Sequence, residues 1–190
     1  MVSKKQTVHF SLKVVLFAAV VAFAFWLAVN VGKNEQLQNL ISQYGYPGLF
    51  IASLLSGINI LVPIPAVSFL PLFVQAGHNF WIAIAIIIAG VTLGDGIGYL
   101  VGAAGHGLIS EGSRNRAAHL EKWADKYKHA PLIALLLFAA LVPLPNEIII
   151  IPLALIGYTW KKLLPWLLVG NSIFNTTAAF GVVNLFKAIL

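Results

Sequence analysis

The chain has 190 residues, of which 59% are apolar and only 9% charged, and its mean hydropathy is +0.90. A soluble domain of this size has too little interior to hide so much apolar surface, whereas lipid solvates it directly, so the composition points to an integral membrane protein. The absence of cysteine excludes disulfides, thiolate metal sites and thiol nucleophiles, and the net charge of +6 follows the segments between apolar runs rather than forming a nucleic-acid footprint.

Residues 1–9, with Lys4 and Lys5, precede an apolar run at 10–29. That is about the 20 residues a helix needs to cross a bilayer. The run is too long for the apolar core of a cleaved secretory signal, and no small-x-small site follows it. Residues 30–44 are rich in Asn, Gln, Glu and Gly and read as a polar external connection. The stretch 45–77 is apolar but interrupted by Pro63-Ile64-Pro65. Proline removes a backbone donor and forces the preceding residue out of the helical region, so a helix must break there. The pieces 46–62 and 66–77 are short for full spans and predict a re-entrant hairpin of two half-helices. Bare backbone at that depth is tolerable only against protein or a wet cavity.

An unbroken apolar run at 79–101 predicts a transmembrane helix. Gly90, Gly94, Gly98 and Gly102 recur every four residues and form a groove that another helix can approach closely. Residues 106–130 form the one long polar loop. Ser113 is a fair N-cap there, and Ala117, Leu120, Trp123, Ala124 and Tyr127 recur at helical spacing, predicting an amphipathic helix on the cytoplasmic surface. A second broken apolar stretch, 131–160, follows with Pro143 and Pro145, and then a second long run at 163–186.

These last segments repeat the earlier ones. Leu61-Val62-Pro63-Ile64-Pro65 returns as Leu141-Val142-Pro143-Leu144-Pro145. At the same offset of eighty residues, Gly77 falls on Gly157, Phe80 on Trp160, Gly90 on Gly170 and Asp95 on Asn175. Ten of the twelve basic residues lie at the N-terminal end (Lys4, Lys5 and, at the start of the first run, Lys13), in the long loop, or at Lys161 and Lys162. All three places share one side if the N-terminus is cytoplasmic. The two copies, 45–105 and 131–187, then run through the bilayer in opposite senses. The predicted fold is all-α: an N-terminal transmembrane helix followed by an inverted repeat of re-entrant hairpin plus transmembrane helix.

Asp95 is the single carboxylate inside a long apolar span. A charge at the bilayer centre costs at least about 2.5–3.5 kcal/mol, so this residue must face protein or water. Tyr99, one turn further on, is placed to hydrogen-bond it. The plainer alternative is a buried carboxyl that holds helices together. Glu147 follows Pro145-Asn146 and suits the first turn of a helix as a dipole partner. Alternatively it is a site residue that faces Asp95 across the repeat axis. Two neighbouring carboxylates cannot both ionise cheaply, which is the physical basis of a proton-linked carrier. Asn146, Asn171 and Asn175 would complete a polar lining, with Asn59 at the first break; each alone reads equally as an interhelical hydrogen-bonding residue. The five histidines show no metal-ligand spacing, no glycine loop cradles phosphate, and Ser56-Gly57 lacks a histidine to activate it, so no enzyme, metal or cofactor is expected.

Over residues 35–185 the chain resembles the DedA family, the bacterial and archaeal branch of the VTT (SNARE-associated) membrane proteins. Tyr44-Gly45-Tyr46-Pro47-Gly48-Leu49-Phe50 is similar to that family's entry into its first re-entrant segment. Pro63-Ile64-Pro65 with Gly77, and Gly94-Asp95 with Tyr99 and Gly102, resemble its Pro-x-Pro-Gly-Glu…Gly and Gly-Asp-x-x-x-Tyr-x-x-Gly stretches. Trp123, Lys126 and Tyr127 stand where it has an aromatic and basic run. Ala66 and Val67 replace its Gly-Glu, Ala103 replaces a frequent arginine, and its Arg-x-x-Pro-x-x-Arg motif is missing. The resemblance implies a plasma-membrane lipid translocase, with polyprenyl phosphates among its substrates, proton coupling, and membrane lipids as partners; self-association stays open. The competing reading is a non-transporting membrane scaffold that acts through the amphipathic loop.

Overall fold

The structure, a computed structural model, describes residues 15, 19, 22–24, 26, 27, 29, 30, 33–58, 65–105, 127 and 129–189. Every regular element among them is helical: α1 (Glu35–Ser56), a 3-10 turn (Ala66–Phe69), α2 (Leu70–Gln75), α3 (Phe80–Gly105), α4 (Ala130–Leu141), α5 (Glu147–Leu155) and α6 (Trp160–Ile189). The described residues of the 10–29 run are also helical; Ala24 is buried, and Leu27 and Val29 pack on the core beside α1. The N-terminal segment 1–9, Asn59, Pro63 and all of the amphipathic loop but Tyr127, His129 and Ala130 lie outside the described residues.

Residues 35–44 are helical, which corrects the reading of 30–44 as a connection. Asn34 is the reason: its side-chain oxygen accepts the Gln36 amide at 3.0 Å, and Glu35 sits in the first turn, where the helix dipole favours an acid. Glutamate, glutamine and leucine then propagate the helix. The first break also opens earlier than expected. α1 stops at Ser56, before Gly57, rather than at residue 62. In the second copy the chain leaves the helix only at Val142, one residue before Pro143.

Two helices, Phe80–Gly105 and Trp160–Ala188, are each long and apolar enough to cross a membrane. By contrast α4 has 12 residues and α5 has 9. At 1.5 Å per residue these reach about 18 Å and 14 Å, well short of the roughly 30 Å of hydrocarbon in a bilayer.

Each broken segment hands over to its long helix through the same turn. Gly77 and Gly157 have positive φ of 86° and 88°. Around the first, His78 N–H donates to Phe73 O at 2.9 Å and Gly77 N–H to Val74 O at 3.1 Å; around the second, Tyr158 N–H donates to Leu153 O at 3.0 Å and Gly157 N–H to Ala154 O at 3.1 Å. This is the Schellman ending, which needs a left-handed residue that only glycine supplies without strain. Asn79 then caps α3 by accepting the Trp81 and Ile82 amides at 2.9 and 3.2 Å.

Packing of the long helices follows their glycines. A Cβ on Gly90 would meet Ser53 of α1, and one on Gly94 would collide with the backbone at Leu54 and Gly57. Further along α3, a Cβ on Gly98 would lie 2.6 Å from Glu147 Cγ, and one on Gly102 would lie 2.8 Å from Ala154 Cβ, both on α5. Gly170 brings α6 equally close to Ala139 of α4. One core joins α1, α2, α3 and α6 around Leu49, Leu70 and Ile87. A second joins α4, α5 and α6 around Leu135, Ile150 and Leu167.

Gly94→Leu should therefore destabilise the detergent-solubilised protein by about 1–3 kcal/mol, the usual range for overpacking. Gly48→Ala, which meets open space, should be neutral or stabilising by up to about 1 kcal/mol through helix propensity. Thermal unfolding of the two variants side by side checks this; equal effects would mean that α1 and α3 are not held at glycine contact.

Candidate functional site

Asp95 lies past the middle of α3, where the glycines change partner from α1 to α5, and is 2% exposed. A buried carboxylate needs donors to replace its water. Two amides supply them. Asn146 Nδ2 donates to Asp95 Oδ1 and Oδ2 at 3.3 and 3.0 Å, and Asn171 Nδ2 donates to Oδ2 at 2.8 Å. Asn171 Nδ2 also reaches Thr92 Oγ1 at 3.0 Å, and its own Oδ1 accepts from Asn146 Nδ2 at 3.0 Å. Asn175 Nδ2 donates one turn back, to Asn171 O at 2.9 Å. The network joins α3, the break before α5, and α6.

Asn146 occupies the cap position of α5 but makes no side-chain capping bond. Its amide is turned to the carboxylate instead. That choice ties the tip of the second broken segment to the centre of α3.

The network forms one pole of a cavity of about 380 Å³. Both breaks wall it: Pro65 and Ala66 from the first, Pro143, Pro145 and Asn146 from the second. Asp95, Asn171 and Asn175 line it as well, and Ser56, Ser68 and Phe174 join them. Ser56 Oγ accepts the Ala66 amide at 3.3 Å, and Ser68 Oγ donates to Pro65 O at 2.7 Å, so both serine hydroxyls serve the first break.

Two expected site residues do not line the cavity. Glu147 is buried with its side chain against Gly98, three residues along α3 from Asp95, and is not on the cavity wall. The wall is built by the turn before α5, whereas Glu147 is already the first residue of that helix and points onto α3. Tyr99 makes no hydrogen bond to Asp95; its ring packs on Trp160 at 5.4 Å between centroids and joins the second core. Its bulk is satisfied by that aromatic neighbour at the start of α6, while the smaller Asn146 and Asn171 take the carboxylate. Thr92 was not foreseen, yet it stands three residues before Asp95 on the same helical face, a spacing that could have signalled it. Phe174 had no such signal.

Among the described residues no group of three or more His, Asp or Glu side chains gathers as a metal site. No protein-family model, curated protein or solved structure matches the chain. The functional argument therefore stands on the geometry of this cavity.

Asn171→Leu should cost about 1–3 kcal/mol of stability, because it strips a donor from a buried carboxylate. Asn175→Leu loses only a local bond to the backbone and should cost about 1 kcal/mol or less. Thermal unfolding of both, each alone and combined with Asp95→Asn, is the check. Coupling confined to Asn171 is expected, and strict additivity would mean that no such network forms.

Proposed function

We propose that this protein is a small polytopic carrier or lipid translocase of DedA/VTT-like type, residing in a bacterial or archaeal plasma membrane with its N-terminus on the cytoplasmic side. Its two halves act as inverted repeats, each a re-entrant hairpin followed by a full span, and Asp95 is the proton-linked group at their junction. The observation that carries this reading is a cavity walled by both proline breaks and floored by the one carboxylate that faces it. Discontinuous helices meeting at an acid is the arrangement by which secondary transporters form a midplane site.

The matching Schellman turns at Gly77 and Gly157, and the matching glycine approaches at Gly90 and Gly170, support a duplicated architecture. The shortness of α4 and α5 supports hairpins that enter and return on one side. Rocking of one hairpin and span against the other would open the cavity to alternate sides. Asp95 would take up a proton when its amide donors are drawn away, and release it when they return.

Flux into proteoliposomes, with and without an imposed pH gradient, tests the proposal. Uptake of a labelled amphiphile should follow the gradient, and Asp95→Asn should reduce it to the level of protein-free vesicles. Glu147→Gln, altered off the cavity wall, should lower uptake less. Wild-type rates in Asp95→Asn would remove the carboxylate mechanism, and absence of any flux would favour a scaffold acting through residues 113–128.

A further inference from the structure

The polar pole of the cavity pairs one carboxylate with neutral amides and holds no cationic donor. The Asn146 amide nitrogen donates inward to Asp95 and to Asn171 Oδ1, and the Asn171 nitrogen to Asp95 and Thr92. The Asn175 nitrogen gives one of its two hydrogens to a backbone carbonyl and keeps the other. What this leaves are the carbonyl oxygens of Asn146 and Asn175, on two residues of the cavity wall, with no donor among the described residues. An amide oxygen accepts and cannot donate, and an ionised carboxylate behind it adds negative charge. Of the two wall hydroxyls, Ser68 gives its hydrogen to Pro65 O, whereas Ser56 accepts the Ala66 amide and keeps a neutral donor at the first break.

Positive charge is missing from the same region. Residues 45–105, 131–160 and 163–186 contain no lysine or arginine, so this lack extends to the undescribed tip of the first break. A phosphate normally wants the fork of an arginine or the point charge of a lysine. The first turn of α5 does not substitute, because Ile148 N–H bonds to Pro145 O and Glu147 sits at the first position of the helix. The remaining wall is apolar, with Val67, Val91, Val142 and Leu144, and carries one aromatic face, Phe174. At about 380 Å³ the cavity falls within the range of roughly 300–1,000 Å³ typical of small-molecule sites.

From the carboxylate, the free amide oxygens and the absence of any cationic side chain we infer that the cavity selects a cationic amphiphile, an ammonium-type headgroup on an apolar body, and rejects phosphate headgroups. The inference rests on the carrier reading and names its substrate class. The headgroup sits at the Asn146 and Asn175 oxygens within the field of Asp95, and the apolar body lies along the valines toward Phe174, whose face also attracts a cation.

The test uses a pair of amphiphiles with the same chain and opposite charge, dodecyltrimethylammonium and dodecyl phosphate, with the full-length protein in uncharged nanodiscs. The ammonium compound should bind saturably and at least about tenfold more tightly than the phosphate. Asp95→Asn should remove that preference. Ala178→Phe, which narrows the cavity from a different wall residue, should weaken ammonium binding while leaving Asp95 untouched, and serves if Asp95→Asn does not fold. Equal or tighter phosphate binding, no saturable ammonium binding, or a preference unchanged in both variants would overturn the inference. Flux of both compounds in proteoliposomes separates the two levels. Phosphate flux without ammonium flux leaves a carrier of the wrong selectivity, whereas selective ammonium binding without any flux leaves the site and removes the carrier.

Discussion

A carboxylate buried in an apolar helix must be given donors, and that requirement organises the centre of this protein. Asp95 cannot be hydrated where it stands, so Asn146 and Asn171 are drawn to it from two other segments. Asn146 can reach it only because the chain is broken at Pro143 and Pro145, which leaves the side chain at the start of α5 free to turn inward instead of capping its own helix. The break and the acid are therefore one device: the proline tip exposes polar groups that the carboxylate needs, and the carboxylate anchors a tip that would otherwise carry loose backbone.

The glycines of α3 make this meeting possible. Removing side chains at Gly90 and Gly94 lets α1 lie against the helix, and removing them at Gly98 and Gly102 does the same for α5. Asp95 stands at the handover between the two neighbours, so it sees the first hairpin on one side and the second on the other. With bulkier residues at those four positions, α1 and α5 would stand further off, and a short asparagine could not bridge the gap.

The two broken segments share the turn into their long helix and differ in chemistry. At the offset of eighty residues, Asn146 and Glu147 correspond to Ala66 and Val67, and Asp95 corresponds to Asn175. The shared turns at Gly77 and Gly157 show the same local construction. The polar groups, however, are concentrated on one pole: the second hairpin brings the amide, the first long helix the acid, and the first hairpin mainly an apolar wall. A cavity with one wet end and one greasy end follows from that inequality rather than from the fold itself.

Helix content, the two long apolar helices and the break before Pro143 were legible in the order of residues, because each depends on local properties: apolar run length and the missing amide of proline. Asp95 could be singled out for the same reason, since a charge within such a run is costly wherever the run is placed. The start of α1 was legible too, in Asn34-Glu35, but was masked by the polarity of the residues that follow. What linear order could not decide was which polar side chains reach the acid. Glu147 and Tyr99 were as plausible by spacing as Asn146 and Asn171, and only the packing of α5 and α6 against α3 set the first pair off the cavity wall, onto Gly98 and Trp160, and the second pair in hydrogen-bond contact with the acid. Spacing along one helix sets the face on which a residue stands; the partner it meets there depends on how segments distant in the chain are rotated against it.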